Sequence, residues 1–227
     1  MHMLDLEAFR STPLVRQPFP HLIVPGFVRA PARAAVNADY PAIASPGSFP
    51  VRGLSYGPAF RQLLQTLQGP EVRAAFEQKF GLDLAGRPTM VTVRGQSGTK
   101  DGFIHTDARS KLITVLIYMN PAWEDSGGRL RLLRSADDLD DVLVEVPPVE
   151  GTLLAFRRSD NSWHGHKPFV GPRRVIQLNW VTNRWTATRE QLRHRVSAWL
   201  KRLRGLLPGR DGPLPRPLRF VGADDAL

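Results

Sequence analysis

The spacing of apolar positions changes near residue 89. Before that point they recur every three to four residues. Phe60, Leu63, Leu64 and Leu67 fall on one face of a helix predicted over Ala59–Gln68. Val72, Ala75, Phe76 and Phe80 do the same over Glu71–Phe80, and Gly81 follows where a left-handed residue ends a helix. Pro31–Ala38 is rich in Ala and Arg and reads as a further helix, with Pro31 in the first turn, where its missing N–H is not needed. Leu22, Ile23 and Val24 make a short strand between Pro20 and Pro25. Residues 41–58, punctuated by four Pro (41, 46, 50, 58) and three Gly (47, 53, 57), read as a loop.

From residue 89 the period is two. Thr89, Val91 and Val93 alternate with Met90, Thr92 and Arg94. Lys111–Met119 is a nearly continuous β-branched and aliphatic run, which predicts a central strand buried on both faces. Arg129–Arg134, Val142–Val146, Thr152–Phe156 and Arg174–Thr182 are further strands. Roughly seven strands, spaced by about 8–12 residues and following helices, predict a mainly β fold: an antiparallel sandwich or jelly roll with flanking helices. After Arg184 the helical period returns. Leu192, Val196, Trp199, Leu200, Leu203 and Leu207 form one stripe and basic residues fill the rest. The expected organisation is a main domain over 1–185, with support helices within 29–81 and the β core at 89–182. A basic amphipathic helix at 186–207 and a flexible tail at 208–227 follow.

Composition narrows the chemistry. There is no Cys, which excludes disulfides, iron–sulfur clusters and thiolate zinc sites and fits an expected cytoplasmic location. No apolar run reaches the ~18–20 residues of a membrane span. The net charge of +10 is concentrated toward the C-terminus. Packing of that helix on the barrel is favoured over peripheral membrane contact. Nucleic acid is disfavoured as a partner, because no aromatic stacking cluster interleaves the basic residues; a small-molecule or peptidyl substrate is expected instead.

Two stretches carry candidate chemistry, Gly102-Phe103-Ile104-His105-Thr106-Asp107 and Asn161-Ser162-Trp163-His164-Gly165-His166. In an extended chain residues i and i+2 point to the same side, so His105 and Asp107 can face one ion and a distant His can complete the set. A 2-His-1-carboxylate face with open positions suits non-haem Fe(II). His164 and His166 share a face. His164, after apolar Trp163 and nearer its strand, is the preferred third ligand, which leaves His166 near the substrate or the support of the site. Such a centre takes a two-electron co-substrate. If that is 2-oxoglutarate, its distal carboxylate needs a cation, and the planar fork of Arg pairs with it bidentately. Arg173 and Arg174 are both candidates. Arg174 alternates with Ile176, Leu178 and Trp180, a face read as pointing into the barrel, and is preferred. Tyr118, at the end of its strand, can supply a hydroxyl to the same carboxylate.

His105-Thr106-Asp107, Ile113–Asn120 (ITVLIYMN), Trp123–Leu132 (WEDSGGRLRL), His164 and Arg174 together resemble the prolyl 4-hydroxylase-like branch of the Fe(II)/2-oxoglutarate-dependent dioxygenase superfamily. The resemblance covers about residues 89–182 and, more loosely, Phe19–Phe27. It implies a double-stranded β-helix (a cupin-like jelly roll). It implies metal ligation by His105, Asp107 and His164, and binding of the 2-oxoglutarate distal carboxylate by Arg174 and Tyr118. Trp180 matches an aromatic six residues beyond the basic position, and Ser126-Gly127-Gly128 matches a family turn. The implied activity uses Fe(II), 2-oxoglutarate and O₂ to hydroxylate an unactivated C–H of a peptidyl or free amino acid or a small metabolite, releasing succinate and CO₂. The competing reading is a non-catalytic cupin-type metal- or ligand-binding jelly roll, which has no use for a buried cation such as Arg174.

Overall fold

Period-two sequence builds two antiparallel sheets in the computed structural model, which describes residues 2–183. The expected basic helix and tail lie outside those residues. The elements are α1 (Leu6–Ser11), β1 (His21–Val24), α2 (Ala30–Ala38), β2 (Phe49–Pro50), α3 (Pro58–Leu67) and α4 (Pro70–Phe80), then β3 (Thr89–Ser97), β4 (Lys111–Tyr118) and β5 (Leu130–Leu133). β6 (Val142–Val146), β7 (Leu153–Arg157), β8 (His164–Gly165) and β9 (Gly171–Val181) complete the order. The larger sheet runs β1-β7-β4-β9-β3-β2 and the smaller β6-β5-β8. The 41–58 loop contributes the short edge strand β2, paired to β3 through Phe49–Val93 and Pro50–Thr92.

α3 and α4 begin with Pro after Gly, and α4 ends at Gly81 in the left-handed region (φ 63°). Their apolar stripes pack on the outer face of the larger sheet. There Phe60, Leu63, Leu67, Val72 and Phe76 join Val91, Val93, Ile113, Val115, Ile117, Ile176, Leu178 and Trp180 in one buried cluster. α1 was not evident from the sequence. Asp5 caps it by accepting a hydrogen bond from the Ala8 amide, and its one buried residue, Phe9, lies 4.5 Å from the Phe76 ring.

The opposite face of the larger sheet looks toward the smaller one. Leu116, Tyr118, Leu154, Phe156 and Val175 meet Leu130, Leu132 and Val146 in a second buried cluster, joined by Phe19. β4, between β7 and β9, is therefore covered on both faces, as its apolar run requires. This two-sheet arrangement is a double-stranded β-helix. The apolar face of β9 is the outer face, under the helices, and its more polar face lines the interior.

Candidate functional site

The interior opens into a cavity of about 350 Å³ lined by Asp107, Thr114, His164, His166, Arg173 and Gln177, among others. His105 and His164 sit directly opposite each other as an antiparallel pair that exchanges both backbone hydrogen bonds, each 3.0 Å. Side chains of such a pair share a face, and the two rings lie 4.3 Å apart. Asp107, two residues on, joins them. One ligand atom from each of His105, Asp107 and His164 falls within 4.8 Å of the others.

The histidine tautomers are set by backbone. His105 Nδ1 donates to the Phe103 carbonyl at 2.8 Å and His164 Nδ1 to the Ser162 carbonyl at 3.0 Å. Each Nε2 is left with its lone pair free for a cation. Burial lowers the His164 pKa to about 4, which leaves a neutral imidazole at physiological pH. Burial pushes the Asp107 carboxyl up. The Lys111 ammonium, His164 and hydrogen bonds from Lys111 and Thr114 outweigh it and hold the group at about 2. Two imidazoles that each turn Nε2 inward and a carboxylate are the donor set a divalent metal needs.

Thr114 Oγ1 donates to Asp107 Oδ2 at 2.5 Å and lies 3.0 Å from Asn179 Oδ1. Arg158 Nε donates to the Asp107 carbonyl, so the backbone of the carboxylate residue is tied down as well. These supports were not evident from the sequence. The only signal was that Thr114, Gln177 and Asn179 are polar residues inside otherwise apolar strands. His166 is buried in the cavity wall, and its Nδ1 donates to the Lys167 carbonyl. Gly102 packs against it with φ +99°, where a Cβ would collide with the His166 carbonyl and lie 2.6 Å from its Nδ1.

The structure separates the two arginines. Arg174, the residue favoured on sequence grounds, lies on the outer face. Its guanidinium donates to the carbonyl and Oδ1 of Asn37 and sits 5.2 Å from the Tyr40 ring. Arg173 is the interior cation. It is 4% exposed, donates from Nε to the Gly128 carbonyl at 2.8 Å, and makes no ion pair among the described residues. Burial lowers its pKa, the direction for a cation taken from water. Alternation placed the two arginines on opposite faces correctly but took the apolar face as the barrel interior. In this fold the apolar face packs under helices, and the interior is partly polar.

Trp180 moves with Arg174. It lies on the outer face 4.8 Å from the Phe76 ring and does not line the cavity. Six residues beyond Arg173 stands Asn179, which is buried and bonded to the Asp107 support. Tyr118 is on the interior face, fully buried, its ring 5.6 Å from the Arg173 guanidinium carbon. Its hydroxyl makes no hydrogen bond of normal geometry with any described group. A buried guanidinium without a counter-anion, with a tyrosine hydroxyl next to it, is a fitting cradle for a carboxylate. The Ser126-Gly127-Gly128 turn, braced by Gly127 N–H donating to Asp125 Oδ1, presents the carbonyl that orients Arg173.

Residues 95–182, which hold every candidate ligand and both arginines, match the family described as the 2OG-Fe(II) oxygenase superfamily. The whole described fold is that of prolyl-4-hydroxylase-like members. A Pseudomonas putida prolyl-4-hydroxylase aligns over 78% of this chain and 97% of its own, with TM-score 0.53 and 18% identity. A viral collagen prolyl hydroxylase from Paramecium Bursaria Chlorella virus-1, solved as a 2OG complex, aligns over 71% and 96%, with TM-score 0.50 and 16% identity. A prolyl hydroxylase from Trichoplax adhaerens, solved with a hypoxia inducible factor peptide fragment, aligns over 84% and 90%, with TM-score 0.50 and 18% identity. No curated protein gives a sequence match. Among the described residues no helix is long and apolar enough to cross a membrane.

Proposed function

We propose that this chain is an Fe(II)- and 2-oxoglutarate-dependent dioxygenase that hydroxylates an unactivated C–H of a peptidyl or free amino acid or a small metabolite. The observation that carries the reading is the pairing of a His105–Asp107–His164 face with an unpaired buried arginine in one cavity. Bound Fe(II) with 2-oxoglutarate and O₂ would supply the oxidation, with succinate and CO₂ as co-products.

The protein's own part is placement. His105 and His164 present Nε2 because backbone carbonyls hold their Nδ1–H groups. Asp107 is held in place by Thr114 and kept ionised chiefly by Lys111. Arg173, rather than Arg174, takes the distal carboxylate of 2-oxoglutarate, with the Tyr118 hydroxyl as a second donor. Trp180 has a packing role. His166 and Gln177 remain in the wall for substrate contacts. A cupin-type binder without catalysis is the weaker reading, because a metal alone leaves Arg173 without an anion.

The test is an anaerobic visible spectrum of metal-free protein given Fe(II) and then 2-oxoglutarate. A charge-transfer band that requires both is expected. Iron binding with no band would withdraw the dioxygenase reading.

A further inference from the structure

The bulge at the start of β4 has a consequence for metal loading. Thr114, Leu116 and Tyr118 face the interior, while Ile113, Val115 and Ile117 face the helices. Strict alternation would put Lys111 with the second set, under α-helical cover. Pairing of β4 with β9 slips between Lys111 and Ile113, from Lys111–Val181 to Ile113–Trp180. A bulge of this kind re-aims the side chain before it, and Lys111 lines the cavity instead. Its Nζ lies 2.5 Å from Asp107 Oδ1, with side-chain exposures of 13% and 6%.

Among the described residues no other side-chain cation pairs with the Asp107 carboxylate, and Lys111 pairs with no other acid. The nearby Arg158 guanidinium is taken by Asp160 at 2.7 Å. Asp107 is therefore already neutralised by an ammonium that lines the same cavity as the three candidate ligands. That ion and the ammonium are like charges competing for one carboxylate in a poorly solvated site. Lys suits such a role, since its charge is carried on a flexible four-carbon stem.

We propose that Lys111 is a positioning residue that serves as a resident counter-cation for the metal carboxylate. It holds Asp107 in place in the metal-free protein and weakens divalent-metal binding by its own charge. The inference rests on the metal reading above and sets the threshold at which that site loads.

The test is anaerobic titration of chelator-treated, full-length protein with Co(II) at pH 7.5, followed by calorimetry and by the visible absorption of the bound ion. Wild type is compared with Lys111→Met, Lys111→Gln and Lys111→Arg, and melting temperatures are taken with and without metal. The expected result is Co(II) bound about tenfold or more tighter by K111M and K111Q. Their metal-free melting temperatures should be lower and their metal-induced rise larger than in wild type, with K111R within about threefold of wild type in Kd. A purely structural Lys111 would instead lower the melting temperature with and without metal alike and leave Co(II) affinity equal or weaker. That outcome in either neutral variant overturns the proposal while the metal site stands. A wild-type protein that takes up no Co(II) overturns the metal reading and this inference together.

Discussion

Arg173→Ala and Arg174→Ala should have opposite consequences, because adjacent residues on β9 face different environments. Arg173 is buried in the cavity wall, held by the Gly128 carbonyl and adjoining the Tyr118 hydroxyl. Its remaining donors are available to a carboxylate. Hydrogen bonds to charged groups contribute about 1.5–3 kcal/mol each, and stranding a buried charge by removing its partner costs about 3–5 kcal/mol. Loss of Arg173 should therefore weaken 2-oxoglutarate by about 3 kcal/mol, or about a hundredfold in Kd. Arg174 spends its guanidinium on Asn37 and the Tyr40 ring. Its removal should lower stability by about 1–2 kcal/mol and leave 2-oxoglutarate affinity within about threefold. The assay is calorimetric titration of Mn(II)-loaded protein with 2-oxoglutarate under anaerobic conditions, with thermal melts as the folding control. A folded Arg173→Ala variant with wild-type affinity, or a selective loss in Arg174→Ala, would refute the reasoning from the two faces of β9.

Two further outcomes follow from the same geometry. Trp180→Ala should open a cavity between β9 and α4 and cost about 3–5 kcal/mol in a denaturant melt, with 2-oxoglutarate affinity of the folded protein unchanged; a selective loss of that affinity would return Trp180 to the site. Gly102→Ala should cost about 2–3 kcal/mol, because φ +99° is strained for any side chain and a Cβ would strike His166; since this loop leads to His105, Co(II) binding should weaken about fivefold, and an unchanged melting temperature would count against the packing described.

The sequence by itself determined the longer elements and placed His105 and Asp107 on one face of an extended segment. α3, α4 and the long strands follow from local periodicity, since an amphipathic stripe has one stable way to be buried. His105 and Asp107 were legible as a pair because the i, i+2 relation of an extended chain is local. The third ligand could be proposed from its place after a strand, but the tertiary structure decided that His164 lies across from His105 in a hydrogen-bonded pair. The choice between Arg173 and Arg174 was beyond periodicity. Both faces of β9 are buried, so alternation separates two sets of side chains without saying which one meets helices and which one a cavity. Lys111 was hidden for a related reason. The bulge that turns it inward is a slip in pairing between β4 and β9, two strands far apart in the chain, and no local pattern records it.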